Sequence, residues 1–438
     1  MTTLKKILLL FSDLAFLYLA LSITLLIRYS PADFGARFND HFLPFLLIIP
    51  IWLLIFYLSD LYRFRDFPKI TIFLKKIFLA VFISGIIAVI VFYLFGDFFK
   101  LTPKTNLFIF AGIFLILDTS WRLLLGKLFA RNALKAIVIG SSPLIDEIID
   151  YLKANPEIGY QVVKRIEDDQ NFDFEKLTKE IITKDIQLII IQPSLAKKFS
   201  TLNAIYRLLP LEISIINAWN FYEILFNKTP ITELNEEWFI ANIAVRRPIY
   251  DFLKRSIDLI LTACLAAILL IPSLIIAFLI KVSSAGPAIY KQERIGKNSE
   301  SFILYKFRTM RKNASGALWT EINDSRVTPI GRFLRITHLD EIPQLINIFK
   351  NDIAFIGPRA ERNELVEKYK KFAYYEIRHL IKPGITGWAQ INFRPSASME
   401  EAYEKLHYDI YYLKNRSFFL DFLIFLKTIR HLFGLNNN

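Results

Sequence analysis

Cysteine is all but missing: the 438 residues contain one, Cys264. This excludes an intrachain disulfide and any multi-cysteine metal centre, and its place inside an apolar run assigns Cys264 to packing. Acidic residues are in deficit, 41 Asp and Glu against 54 Lys and Arg, for a formal charge of +13. No zinc finger, RNP motif or basic heptad accompanies the excess, so no nucleic-acid partner is expected. Internal repeats are absent as well. Apolar residues are abundant, at 54% with 40 Phe, against roughly 45–50% in soluble chains. Membrane segments are therefore the first expectation, with the basic excess in cytoplasmic loops beside anionic inner-membrane lipid.

Four apolar runs, about Ile7 to Ile27, Phe42 to Leu58, Phe73 to Phe95 and Leu107 to Leu125, each approach the roughly 17–25 residues that cross a bilayer. The first follows Lys5 and Lys6 but is too long for a signal peptide and lacks a small-residue cleavage site. Arg28, Asp33, Arg37 and Asp40 balance the first connection, whereas Arg63, Arg65, Lys69, Lys75 and Lys76 load the second. With Arg122, Lys127, Arg131 and Lys135 closing the fourth run, the positive-inside rule predicts a four-helix bundle over residues 1–130 with both ends cytoplasmic. Asp13 and Asp118 fall within spans, where carboxylates are functional suspects by default. Near a span end or a helix contact they serve structure, and that reading is favoured.

Residues 131–245 have the texture of an α/β domain. Strands KAIVIG, DIQLIIIQ from Asp185 and EISIIN from Glu212, with an amphipathic helix about Ile145 to Leu152, predict a Rossmann-like, doubly wound parallel sheet. The first strand is followed by Gly140, Ser141, Ser142 and Pro143, so the G-x-G-x-x-G fingerprint is missing. A regulatory or dimer-forming domain that kept the fold without its ligand fits better, and it makes a homodimer plausible.

After Arg246, Arg247, Lys254 and Arg255 comes a fifth apolar run, Ile257 to Ile280. Crossing the membrane there would carry Lys291, Arg294, Lys297, Lys306, Arg308, Arg311 and Lys312 outward, against the positive-inside rule. Pro272 and Ser273 past its middle favour a bend. A re-entrant helix over about 250–281, broken at Ser273 and Pro272, reconciles both facts. Beyond it, GPAIYKQERIGKNSESFILYKFRTM enters a strand at Phe302 to Phe307, and its cations suit a polyphosphate and anionic headgroups equally. KPGITGWAQINFR, Lys382 to Arg394, is a shaped glycine loop with Trp388 exposed for stacking or packing. The tail, HYDIYYLKNRSFF and Leu420 to Leu426, suits a helix lying in the membrane interface.

GRFLRITHLDEIPQLINIFKNDIAFIGPR, Gly331 to Arg359, holds the acidic pair Asp340 and Glu341. Pro343 and the recurrence of Ile342, Leu345, Ile346 and Phe349 place the pair at a helix N-terminus. Free N–H groups there fix anions, and Arg335 and Arg359 offer forks for phosphate oxygens. A divalent metal and a phosphate meeting at one site is one reading. An N-capped surface helix with ion pairs is the other.

The ordered set GPAIYKQERIG, FILYKFRTM, DSRVTPIGRFLR, LDEIPQL, IGPR, KPGITGWAQI and YDIYYLKN, behind a basic pair and a proline-broken apolar segment, resembles the bacterial polyprenyl glycosylphosphotransferases. The likeness covers about Pro248 to Phe433 in motifs and nearly the whole chain in architecture, as in the large-form members. It implies a mixed α/β monotopic catalytic domain over 246–438 at the cytoplasmic face. The implied reaction moves a sugar-1-phosphate from a UDP-sugar to polyprenyl phosphate, usually undecaprenyl phosphate, releasing UMP. On matching positions it implies Asp340 as covalent nucleophile, Glu341 as Mg²⁺ ligand, Arg335 and Arg359 as phosphate clamps, and Lys306 and Arg308 as supporting cations. Arg394 and Asp409 fall at late site positions. Ala360 after the Gly-Pro-Arg turn, Asn351 before Asp352 and Phe393 before Arg394 depart from common family residues. They bear on loop geometry and the sugar pocket.

Overall fold

The computed structural model describes the chain apart from residues 1, 60, 63–69, 95–103, 132, 168–173, 197–205, 207, 209, 211–212, 312–325, 394–397 and 433–438. It divides into two compact units, Met1–Phe221 and Tyr222–Asn438. In the first, the apolar runs form helices α1 (Thr2–Arg28), α2 (Phe34–Leu58), α3 (Ile70–Leu94) and α4 (Lys104–Arg131). Each contains a stretch long and apolar enough to cross a membrane. Their shared core is aromatic: Trp52 lies edge-on to Phe110 and Phe114, with ring centroids 5.1 and 5.8 Å away. Arg63, Arg65 and Lys69, expected in a cytoplasmic loop, lie outside the described residues.

Asp13 and Asp118 meet on one cation inside this bundle. Arg122 on α4 donates Nε to Asp118 at 2.8 and 2.9 Å, Nη2 to Asp13 at 2.7 Å and Nη1 to the Leu61 carbonyl at 2.5 Å. All three charged side chains are 0% exposed. The cluster ties α1, α4 and the end of α2 together, which is the structural reading of the two carboxylates.

The α/β part alternates β1 (Leu134–Ile139), α5 (Pro143–Ala154), β2 (Tyr160–Ile166), α6 (Phe174–Lys184), β3 (Leu188–Ile191) and β4 (Ser214–Asn217). The strands pair in parallel in the order β2-β1-β3-β4, so the sheet grows to both sides of β1 as doubly wound sheets do. The loop after β1 sits at the point where that order reverses, and side chains of the domain fill it. Gly140 has φ +123°, and a Cβ there would lie 2.5 Å from Gln192 Cβ. Gln192 Oε1 accepts the Ser141 N–H at 2.9 Å. Arg165 at the end of β2 reaches Ser141 Oγ at 2.7 Å, the Gly140 carbonyl at 3.2 Å and Asp146 at 2.6 Å. The amide that a dinucleotide phosphate would use is thus already bonded.

The second unit opens with α7 (Pro248–Ser283), followed by the antiparallel hairpin β5 (Ile289–Ile295) and β6 (Ser301–Phe307). Then come α8 (Pro329–Ile336), a 3₁₀ helix (Leu339–Gln344), α9 (Leu345–Lys350), the parallel pair β7 (Ala354–Ile356) and β8 (Gly384–Thr386), α10 (Met399–Asn415) and α11 (Phe418–Leu432). Backbone at Pro272 and Ser273 stays helical, so the break expected there is not seen: Pro272 gives up one backbone hydrogen bond inside a continuous helix. Both ends of α7 rest on this unit. Near its start Arg255 donates to the Ile348 and Phe349 carbonyls at 2.6 and 3.1 Å, and Tyr250 donates to Asp421 at 2.8 Å. Near its end Ile276 and Ile280 pack with Phe307 and Leu334. Between them Ile257, Ile260, Ile268 and Ile271 are exposed. Helix α11 buries Leu420 and Ile424 and exposes Phe419, Phe422 and Phe425, the two-faced character expected of an interface helix.

Candidate active site

The acidic pair occupies the 3₁₀ helix and not the start of an α-helix, which begins only at Leu345. Three features aim it. Thr328 caps α8 by accepting the Gly331 N–H at 2.9 Å. Gly331 packs against β6's exit, where a Cβ would fall 2.0 Å from the Thr309 carbonyl oxygen. His338 then turns the chain with φ +56°, an uncommon conformation for a side-chain-bearing residue. On the far side, fully buried Asn347 accepts the Tyr305 N–H at 3.0 Å and donates to the Ile303 carbonyl at 2.6 Å. This pins α9 along β6 and sets Lys306 against Glu341.

Lys306 Nζ lies 2.5 Å from Glu341 Oε1, both side chains mostly buried. Burial opposes the charge on Glu341, but Lys306 and then Arg359 outweigh it and hold its carboxyl below the usual range. Asp340, 9% exposed, makes no ion pair among the described residues. Burial raises its carboxyl above the ordinary aspartate value; Glu341 adds to this, and Lys306 and Arg335 work against it. Two adjacent carboxyls are thereby separated into an engaged, firmly ionised one and a more basic, uncommitted one.

Arg294, Lys306, Glu341, Gln344, Arg359 and Gly384 line one small pocket. Arg294 was not singled out by its spacing, because its charge is unremarkable within a basic segment. It is 7% exposed, donates to the Ala360 carbonyl at 3.0 Å, and keeps Nε unpartnered. Burial, then Arg359, pushes its guanidinium down to about 10. Three cations around one carboxylate make a seat for a polyanion. Its floor is the β7–β8 pair, where Gly357 and Gly384 touch so closely that a Cβ on Gly384 would fall 2.1 Å from Gly357 N.

The other expected residues are placed as follows. Arg335 donates Nε to Thr309 Oγ1 at 2.9 Å beside the pair. Arg308 is directed away from the pocket: its Nη2 donates to Ser284 O at 2.7 Å and Oγ at 2.9 Å, capping the end of α7. Asp409 lies behind the pocket and not in it. It pairs with buried Arg378 at 2.8 Å, and Arg378 Nη2 donates to the Arg359 carbonyl at 3.0 Å, so Asp409 supports the Gly-Pro-Arg turn through Arg378. Arg394 lies outside the described residues. Trp388 is buried, not exposed, with Nε1 donating to the Asn227 carbonyl at 2.8 Å and its ring stacked on Tyr411. Asn351 holds φ +74° at the end of α9, where asparagine replaces the glycine such caps favour.

Asp340 and Glu341 offer hard carboxylate oxygens, and one oxygen of Glu341 is engaged by Lys306. Among the described residues no three His, Cys, Asp or Glu cluster. Such a donor set fits Mg²⁺, which takes one or two carboxylates and completes its shell with water and substrate phosphates.

The bacterial sugar transferase profile matches residues 249–434. A UDP-N-acetylgalactosamine-undecaprenyl-phosphate N-acetylgalactosaminephosphotransferase of Aeromonas hydrophila is 42% identical over 187 residues, 42% of this chain and 44% of that protein. The chain thus spans less than half the length of that relative. A UDP-glucose:undecaprenyl-phosphate glucose-1-phosphate transferase of Klebsiella pneumoniae is 27% identical across 92% of both chains. The exopolysaccharide production protein PSS of Rhizobium leguminosarum bv. phaseoli is 37% identical over 93% of its length and 40% of this chain. That shorter protein is matched over nearly all of its length, and the profile match takes in the acidic pair and its cations: the chain belongs to the bacterial sugar transferase family.

Proposed function

We propose that this protein transfers a sugar-1-phosphate from a UDP-sugar to undecaprenyl phosphate, the first membrane step in building a polysaccharide. The observation that carries the reading is the asymmetry of the acidic pair: Glu341 is held by Lys306 in the pocket that Arg294 and Arg359 also line, while Asp340 next to it is buried, makes no ion pair among the described residues and feels the charges of Lys306 and Arg335. An Asp340 oxygen attacks the sugar-linked phosphorus, the phosphorus–oxygen bond to UMP breaks, and UMP leaves with that electron pair. The acyl phosphate so formed remains reactive. A lipid phosphate oxygen attacks the same phosphorus, the bond to Asp340 breaks, and the carboxylate returns. Arg294, Lys306 and Arg359 hold charge on the phosphoryl oxygens, the main protein contribution to such transfers. Glu341 is the residue assigned to Mg²⁺, which when bound neutralises charge on the diphosphate.

Intact-protein mass spectrometry tests this reading. Purified full chain, Mg²⁺ and a panel of UDP-sugars without lipid should give one phosphosugar adduct and matching UMP, and undecaprenyl phosphate should remove the adduct. UMP appearing only when lipid is present, with no adduct, would replace the two-step route by a single displacement; no UMP from any sugar would sink the reading altogether.

Lys306 lowers both carboxyls, so Lys306→Gln should raise both. Because attack requires ionised Asp340, the acid limb of adduct formation moves to higher pH in the variant. A pH series on wild type and variant checks this, and superimposed acid limbs would contradict it.

The placement proposed is the cytoplasmic face of the inner membrane, with α7 re-entrant. A span would set its ends apart across roughly 30 Å of hydrocarbon, whereas hydrogen bonds and packing attach both ends to one folded unit. That attachment supports entry and exit by one face. A reporter fused after Lys281 should read cytoplasmic, and a periplasmic signal would overturn the topology.

A further inference from the structure

A second cavity, of about 140 Å³, lies between the first turns of α7 and the β7–β8 layer. Arg246, Lys254, Arg255, Lys297, Lys382 and Arg416 line it, against the carboxylates Asp251 and Asp258. Some of this charge is used internally. Lys254 pairs with Asp421 at 2.5 Å, and Arg416 with Asp251 at 3.1 Å. Arg255 is spent on the Ile348 and Phe349 carbonyls, which orient but do not neutralise it. Asp258 is 7% exposed and accepts the Phe355 N–H. Arg246 and Lys297 make no ion pair among the described residues, and Lys382 donates to the neutral side chain of Asn351. The cavity is therefore short of negative charge.

We propose that this cavity holds the phosphate headgroup of an anionic membrane phospholipid. The same turns of α7 that form its wall expose Ile249, Phe252 and Leu253, and the next turns expose Ile257, Ile260 and Leu261. Phe418 of α11 packs on Tyr250 with ring centroids 5.0 Å apart, and Phe419 and Phe422 beyond it are exposed. A cationic hollow that opens beside an apolar face fits an anion carrying hydrocarbon chains. Burial, then Arg255 and Lys297, pushes the Lys382 ammonium below its ordinary range, and a phosphate would relieve that repulsion. The occupant is not the reacting lipid, because neither Asp340 nor Glu341 lines the cavity. Ile353 nevertheless walls both this cavity and the Arg294–Arg359 pocket, so a bound headgroup steadies the floor of the reactive site. The inference depends on the proposed function only in setting the exposed face of α7 in the membrane.

Native mass spectrometry of the full chain in neutral detergent tests it, with phosphatidylglycerol or phosphatidylcholine added. Wild type should retain phosphatidylglycerol in clear preference. Lys297→Gln should lower that retention about fivefold, and Lys297→Gln with Lys382→Gln about 25-fold, as expected for losing one and two cations at a lipid headgroup. Lys297→Arg with Lys382→Arg should restore it. Lys297 is exposed, so the single variant guards against loss of folding, and thermal unfolding of each variant should match wild type. Adduct formation from UDP-sugar, read separately, should persist in all of them, which keeps this inference distinct from the function reading. Equal retention of phosphatidylcholine, or variants that keep phosphatidylglycerol as wild type does, would overturn the inference. Displacement by millimolar inorganic phosphate would make the cavity a soluble-anion site. Displacement by undecaprenyl phosphate that is itself lost in the double variant would make it an acceptor site, and either result overturns the assignment to phospholipid.

Discussion

Asp340→Asn should abolish the phosphosugar adduct and cut UMP release by about 10⁴-fold or more, the scale seen when a covalent nucleophile is removed. The change keeps the side chain's size and leaves Lys306, Glu341 and the pocket lining in place, so the loss reports nucleophilicity and not collapse. Glu341→Gln should behave differently. It removes the ion pair with Lys306 and one hard oxygen but spares the attacking group, so a slow adduct forms, down by about 10²–10³-fold as for losing one electrostatic stabiliser. Intact mass and UMP release under identical conditions separate the two. An adduct on Asp340→Asn at the wild-type rate would move the nucleophile elsewhere. Because the two carboxyls act on one phosphorus, the double variant should be little worse than Asp340→Asn alone.

Arg122→Met in the helical bundle carries the largest expected effect on stability. It leaves Asp13 and Asp118 buried without their shared cation and the Leu61 carbonyl without its donor. Breaking a buried pair from one side costs about 3–5 kcal/mol, a large fraction of the roughly 5–15 kcal/mol that holds a folded protein. Thermal unfolding of the purified chain in detergent should shift clearly downward. Adding Asp13→Asn and Asp118→Asn should recover much of the loss, since neutral polar groups replace the unpaired charges. An unchanged melt for Arg122→Met would mean that the cluster contributes nothing to stability.

How far the sequence reaches depends on which physical signal each element carries. Helices α1 to α4 follow from run length alone, because crossing a bilayer fixes a minimum of apolar residues. Strands β1 and β3 are continuous apolar runs and stand out for that reason. Strand β2, Tyr160–Ile166, reads YQVVKRI and is mostly half-buried, so its alternation is weak. Strand β5, IYKQERI, looks like a basic loop until its pairing with β6 is known.

In the candidate site, Glu341 and Arg359 stand in motifs visible in the sequence and the structure brings both to one pocket with Lys306, while Asp340 stands beside Glu341 and does not line that pocket. The helix type at the acidic pair was not legible, since Pro343 and the apolar spacing suit a first α-turn as well as a 3₁₀ stretch. Arg308 was expected beside Lys306 because they are two residues apart. The strand ends between them, and the open carbonyls closing α7 claim the guanidinium. Arg378 was missed because its importance lies in a contact with the backbone of Arg359 nineteen residues away. No local pattern records such a contact. Trp388 likewise sits in a glycine loop that looks superficial, yet its partners, Asn227 and Tyr411, come from distant segments.

In the turn after β1 the Ser141 N–H is already taken by Gln192 Oε1 at 2.9 Å. A phosphate reaching that amide has to displace a bond the fold already supplies, so its net gain there is the difference between two hydrogen bonds and not the worth of a whole one.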